Sequence, residues 1–436
     1  MLERYFELRR NGTSIRVELI AGLSTFLATM YIIVVNPSIL SQAGMPFSGV
    51  LTATVLLSFF CSLMMGFYAK NPLVVAPGMG LNAFFTFTAV KGLGIAWETA
   101  LGAVFWSGVL FLLLSLLNVR TLLLQAIPSA LRHAIAAGIG LFIALIGFIN
   151  AGFIVDNPAT LISLGNTASP SVLLFVFGLA LTAILITRKV PGGIIISIVA
   201  VSIIYTLGGT LFGTSTPLPE NWISAPDFSL LFRLDLMGSL KFSLWPVIFA
   251  FIFTDLFDSL STFVGVAEAA DLKDAQGNPR NIRQSLLTDA VATTLAGLLG
   301  SSPGTTYIES AVGIEQGGRT GLTAVFAGLL FLPFMFLSPI LSLIPSVATA
   351  PALVMVGVYM ARPVVKINWQ DMEEAIPAFL AMLLIPFSYS ITQGIIWGFL
   401  SWTLLKITQG KFKELSPVLL IIDVLAILSL ITGVHP

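Results

Sequence analysis

Phe249-Ala-Phe-Ile-Phe-Thr-Asp-Leu-Phe-Asp-Ser-Leu-Ser-Thr-Phe-Val-Gly265 is greasy enough to lie in lipid, yet it carries two carboxylates, Asp255 and Asp258. A charged side chain at the centre of a bilayer costs roughly 2.5–3.5 kcal/mol on insertion scales. Two such costs in one helix point to a job: holding a polar substrate, a proton or a cation. Residues three apart share one helix face, so a single wet cavity can receive both. The surroundings agree. Of 436 residues, 56% are hydrophobic and 10% charged, where soluble domains carry about 25% charged residues. The chain reads as an all-α polytopic membrane protein.

Apolar stretches expected to span lie at 17–40, 48–68, 74–90, 99–117, 129–149, 171–187 and 191–212. They resume at 243–265, 284–300, 304–316, 321–343, 350–361, 373–389 and 391–409. The pieces at 74–90, 304–316 and 350–361 are too short or too broken for complete helices. A further run, 416–434, reads as an extra span or as a helix along the membrane surface. With the N-terminus in the cytoplasm, every Lys and Arg except Lys91, Arg233 and Lys241 falls on the cytoplasmic side, a strong positive-inside bias. Balanced charge, 21 basic against 21 acidic residues, gives no pointer to nucleic acid. Lone Cys61 has no internal disulfide partner and reads as helix packing, and the first ten residues lack the apolar core of a secretory signal.

The loop at 213–240 divides fourteen spans into seven and seven. An odd number per half inverts the second half, the inverted-repeat plan of many secondary transporters. Short echoes fall at matching places: Ala76-Pro77-Gly78 with Ser302-Pro303-Gly304, and Ile127-Pro128-Ser129 with Ile344-Pro345-Ser346. Leu73-Val-Val-Ala-Pro-Gly-Met-Gly-Leu-Asn-Ala-Phe-Phe85 and Ser301-Ser-Pro-Gly-Thr-Thr-Tyr-Ile-Glu-Ser-Ala-Val-Gly-Ile314 each read as a short extended piece turning into a half-helix. Bare backbone at membrane depth must be buried in protein or line a cavity, and half-helix N-termini offer free N–H groups. Asn82 and Glu309 stand near those two N-termini. Such a matched pair of interrupted segments is the best sequence pointer to a transporter's site.

Each candidate has a plainer reading. Asn82 can bridge two helices, Glu309 can satisfy its own helix N-terminus, and one of Asp255 and Asp258 can brace the other. Asp289, a fourth intramembrane acid, suits an internal hydrogen bond as well as a substrate. Glu18 and Glu98 are placed at membrane edges, and Gly317-Gly-Arg-Thr-Gly321 in a cytoplasmic turn.

Three motifs in order, Gly78-Met-Gly-Leu-Asn-Ala-Phe-Phe85, Asp255-Leu-Phe-Asp-Ser259 and Thr306-Tyr-Ile-Glu-Ser310 followed by Gly317-Gly-Arg-Thr-Gly321, resemble the second nucleobase–cation symporter family. Within it, the match is to the adenine/guanine/hypoxanthine permease branch, essentially end to end. The resemblance implies fourteen spans in two inverted repeats, with spans 3 and 10 each a short β-strand plus half-helix. It implies a core domain of 1–120 (spans 1–4) and 241–343 (spans 8–11). A gate domain follows from 121–213 (spans 5–7) and 344–436 (spans 12–14 with the C-terminal run). It also implies a homodimer in the cell membrane, and proton-coupled import of a purine nucleobase with no cofactor and no metal. By the resemblance Asp255 and Glu309 are expected to hold the nucleobase with help from Asn82, and Asp258 to bear on translocation. The residues themselves add Phe84 and Thr306 at the base, and Glu309 and Asp289 in proton coupling. The wider family often carries a Glu and a nearby His in span eight, whereas this chain has aspartates and no histidine there.

The chemistry is coherent. A purine edge presents N–H donors that an ionised carboxylate accepts in parallel, Asn82 can read a mixed edge, and Phe84, Phe85 or Phe257 can stack on the ring. Proton and base together would relieve the charge penalty before the core shifts against the gate. An anion transporter on the same architecture is the nearest rival; its site should present bare helix N-termini or a basic group, whereas the site positions here are acidic. Gly300-Ser-Ser-Pro-Gly304 matches a hydrolase nucleophile pattern without its strand–helix context and without a usable histidine.

Overall fold

In the computed structural model the described residues are 2–116, 128–209, 221–270 and 280–431. The expected domain boundary at 120/121, the first part of the 213–240 loop and the Phe257 side chain lie outside them. The protein is a mostly helical membrane protein. Six helical segments among the described residues are long and apolar enough to cross a bilayer: Ile15–Ala43, Phe47–Ala69, Trp97–Leu116, Ser129–Asn150, Pro170–Thr187 and Ser346–Lys366. Further helices run over Gly193–Leu207, Trp245–Ala270, Ile282–Leu299, Gly321–Phe331, Met372–Ser388, Ile391–Thr408 and Pro417–Ile431.

The first segment begins where the Ser14 hydroxyl caps the Val17 amide. It breaks at Met30–Tyr31 between the Ile15–Thr29 and Ile32–Leu40 helices. Strand β1 (Val75–Pro77) is followed by the short Met79–Ala83 helix, which widens into π-type turns over Phe84–Gly92. A second antiparallel pair, β2 (Ile154–Asn157) and β3 (Leu161–Leu164), forms a largely exposed hairpin that the apolar pattern did not foretell. Strand β4 (Gly304–Thr306) leads into a 3₁₀ turn, Ile308–Ser310, and the short Ala311–Glu315 helix. β1 and β4 pair antiparallel, Val75 opposite Thr306 and Pro77 opposite Gly304. The paired strands are wholly buried, so each supplies the partners the other's backbone needs at that depth.

One expectation is corrected. The piece at 350–361 is a full helix, Ser346–Ala361, extended by a 3₁₀ turn to Lys366. It starts four residues before the expected onset, so Pro351 falls inside it. The 416–434 run holds the Pro417–Ile431 helix, which packs on Ile391–Thr408, and the Thr403 hydroxyl donates to Asp423 Oδ2 at 2.6 Å.

Helices meet where side chains are small. An added Cβ at Gly357 would lie 2.5 Å from the Gly140 carbonyl oxygen, so the Ser129–Asn150 and Ser346–Ala361 helices touch backbone to backbone. Ile15–Thr29 packs on Gly321–Phe331, and Trp97–Leu116 on Ile282–Leu299. Glu18 is fully buried between the first pair. It accepts from the Arg319 amide (2.9 Å), the Thr323 amide (3.1 Å) and the Thr323 hydroxyl (2.6 Å), capping the Gly321–Phe331 helix.

Candidate functional site

The turn that follows β4 and the middle of the Trp245–Ala270 helix face one cavity of about 370 Å³, part of it open to solvent. Asp258 and Glu309 both line it. Glu309 projects from the 3₁₀ turn, and its Oε1 accepts a hydrogen bond from the Tyr31 hydroxyl at 2.8 Å. Thr262, one helical turn beyond Asp258, shares its face, and Thr305, Thr306 and Tyr307 form the strand wall. Gly80 contributes backbone from the opposite half-helix, while Val356, Tyr359 and Met360 of the Ser346–Ala361 helix close the far side. No basic residue lines the cavity among the described residues. It therefore offers acceptors and hydroxyls, suited to a ligand rich in N–H donors.

The remaining expected residues sit behind this wall. Asp255 is 1% exposed and does not line the cavity; it accepts from Thr293 Oγ1 at 2.5 Å and from Ser259 Oγ at 3.4 Å. Thr293 also donates to the Gly304 carbonyl (3.2 Å), and Ser259 is 3.1 Å from Thr305 Oγ1. Asp255 thus fastens β4 to two helices. Asp289 does likewise from the Ile282–Leu299 helix, its Oδ1 accepting from Thr306 Oγ1 at 2.7 Å. The physical reason is angular. At 100° per residue, Asp255 and Asp258 stand some 60° apart on one face, enough for one to meet the cavity and the other the strand.

Asn82 is fully buried off the cavity, donating from Nδ2 to Asn36 Oδ1 at 3.3 Å. Asn36 is a hub that also donates to Thr54 Oγ1 (2.8 Å) and Ser301 Oγ (3.1 Å) and accepts from Ser302 Oγ (3.2 Å). Phe84 is buried edge-on against Phe251, ring centroids 4.7 Å apart, and is likewise absent from the cavity wall. So Asp258, Thr306 and Glu309 come together around one void, while Asn82, Phe84, Asp255 and Asp289 form its support. Sequence reasoning passed over Tyr31, Thr262, Tyr359 and Asn36. Thr262 was findable by counting one turn from Asp258, whereas Tyr31 and Tyr359 carry no local signal. No group of three or more potential metal ligands occurs among the described residues.

Comparison with known proteins fits this picture. Residues 16–397 match the model of a permease family. The chain is 44% identical to adenine permease AdeP of Escherichia coli K12 over 434 residues, 99% of this chain and 96% of that one. It is 41% identical to guanine/hypoxanthine permease PbuO of Bacillus subtilis 168, covering 98% of this chain and 99% of the relative. In fold it resembles the transmembrane domain of BicA, a cyanobacterium bicarbonate transporter, with TM-score 0.65 at 16% identity over 87% of this chain and 97% of that one. SLC26A9 gives TM-score 0.65 at 12% identity over 91% of this chain and 66% of that one. At such identities these two speak for the fold alone. With a permease model matched over most of its length and full-length permease relatives above 40% identity, this chain belongs to the nucleobase/ascorbate transporter family of permeases.

Proposed function

We propose that the protein imports a purine nucleobase (adenine, guanine or hypoxanthine) by proton symport, the core moving against the gate. One observation carries this reading: Asp258 and Glu309, from different elements, share a cavity with Tyr359 and Met360 of the neighbouring Ser346–Ala361 helix. Two carboxylates can accept the N–H groups of a purine edge, and such charge-assisted bonds are the strong ones. Asp258 takes the part expected of Asp255 at the ligand, and Asp255 and Asp289 keep the strand wall in register. The names of AdeP and PbuO support the substrate class. A proton arriving with the base would remove charge that is costly to carry through a hydrocarbon-walled site.

The architecture proposed is fourteen spans in two inverted repeats with a cytoplasmic N-terminus, in a homodimer at the cell membrane. The core comprises 1–120 and 241–343, and the gate 121–213 and 344–436. The crossing of β1 with β4 supports the repeat, as does the way Ile15–Thr29 packs on Gly321–Phe331 while Trp245–Ala270 packs on Trp97–Leu116. Uptake of labelled hypoxanthine into vesicles tests the proposal. Unlabelled adenine, guanine or hypoxanthine should compete, and a proton uncoupler should abolish accumulation. Sulfate or bicarbonate uptake without any nucleobase uptake would favour an anion carrier, a reading the acid-lined cavity opposes.

A further inference from the structure

Tyr31 lies in the break between the Ile15–Thr29 and Ile32–Leu40 helices and is 1% exposed. Its position lets a residue of the first span reach the turn after β4. The hydroxyl donates to Glu309 Oε1 at 2.8 Å, and the same side chain lines the cavity. The Tyr31 ring stands 6.4 Å from that of Tyr307, whose own hydroxyl donates to the Pro77 carbonyl across the strand pair. Tyr31 is therefore braced by a residue that is itself fixed to both halves of the crossing.

A glutamate in the middle of a single 3₁₀ turn, Ile308–Ser310, has three side-chain torsions, the last of them soft. Its own backbone amide is one partner of the carboxylate, and with that partner alone the group still turns about its last torsion. A donor on Oε1 fixes the carboxylate plane and occupies one acceptor position, so the ligand meets the other oxygen in a set direction. Holding a recognition group in its bound geometry beforehand raises affinity by lowering the ordering cost at binding. We propose that Tyr31 is a positioning residue for substrate recognition, aiming Glu309 at the nucleobase. The inference rests on the purine reading above and adds to it the residue that orients the acid.

The test is Tyr31→Phe, which keeps the ring and removes the hydroxyl. In vesicles, KM for hypoxanthine should rise about 10- to 100-fold, the usual range for losing a hydrogen bond to a charged group. Vmax should stay within about twofold, and the thermal midpoint of the ligand-free purified protein should match wild type. Unchanged KM would overturn the assignment, as would a fall in midpoint and Vmax with KM unmoved, which marks a packing role. Wild-type protein that takes up no purine would instead sink the substrate reading. Wild-type uptake matched by Tyr31→Phe removes Tyr31 alone.

Discussion

Asp255 and Asp258 differ by three positions and serve different ends. Asp258 meets the cavity, whereas Asp255 is enclosed by Thr293 and Ser259. Replacing Glu309 with Gln keeps the shape and turns one acceptor oxygen into a donor, so hypoxanthine uptake should fall to background in the vesicle assay. Normal uptake by that variant would remove Glu309 from the mechanism. Thr293→Val should act elsewhere. It strips a short hydrogen bond from a buried carboxylate, costing about 1–3 kcal/mol of stability, read as a lower thermal midpoint in detergent. That buried acids stand in this helix was legible because charge in a greasy helix is conspicuous. Which acid faces the cavity was not, since about 60° of helix rotation decides it and the apolar neighbours of both look alike.

At the level of elements, proline and glycine were the readable signals. Pro77 and Pro303 marked the two places where helix gives way to strand, and β1 and β4 lie there. Their pairing was not readable, because no local pattern tells a three-residue strand which partner it will meet. Nor did Pro351 break its helix, since tertiary packing outweighs a single proline. Gly80 marks a close approach of another kind. An added Cβ would lie 2.7 Å from Ile139 Cγ2 on the Ser129–Asn150 helix, where the proposed core meets the proposed gate. Gly80→Ala should therefore overpack that contact by about 1–3 kcal/mol and slow uptake. Adding Ile139→Ala should restore the rate. A Gly80→Ala protein with wild-type kinetics would show that the contact does not limit movement.

Across the whole molecule, the segment at 221–240 ties separate helices together at one end. The Asp227 amide donates to Thr52 Oγ1 (3.0 Å), the Phe232 amide to the Leu298 carbonyl (2.8 Å), and the Asp235 amide to the Glu98 carbonyl (2.9 Å). Partial burial pushes the Asp227 carboxyl up, but hydrogen bonds from the Ser48 hydroxyl (2.6 Å) and the Ser229 amide (2.9 Å) outweigh it and hold the group below its usual value. A carboxyl lowered on folding stabilises the folded form above its ordinary titration range and loses that contribution as pH falls through the lowered value. Protease cleavage within 221–240 should thus stay constant from about pH 8 to 5 and rise only below about pH 4. Asp227→Asn should raise cleavage at neutral pH.

The strand crossing has a consequence for how the chain is made. Val75–Pro77 leaves the ribosome long before Gly304–Thr306, its only paired neighbour among the described strands. Until translation reaches the second strand, the first waits in the bilayer with an open backbone edge, in a medium that offers it no water. The nascent first half is therefore an unfinished object that needs shelter, by the insertion machinery or by lipid headgroups. Release of the second half is what completes both.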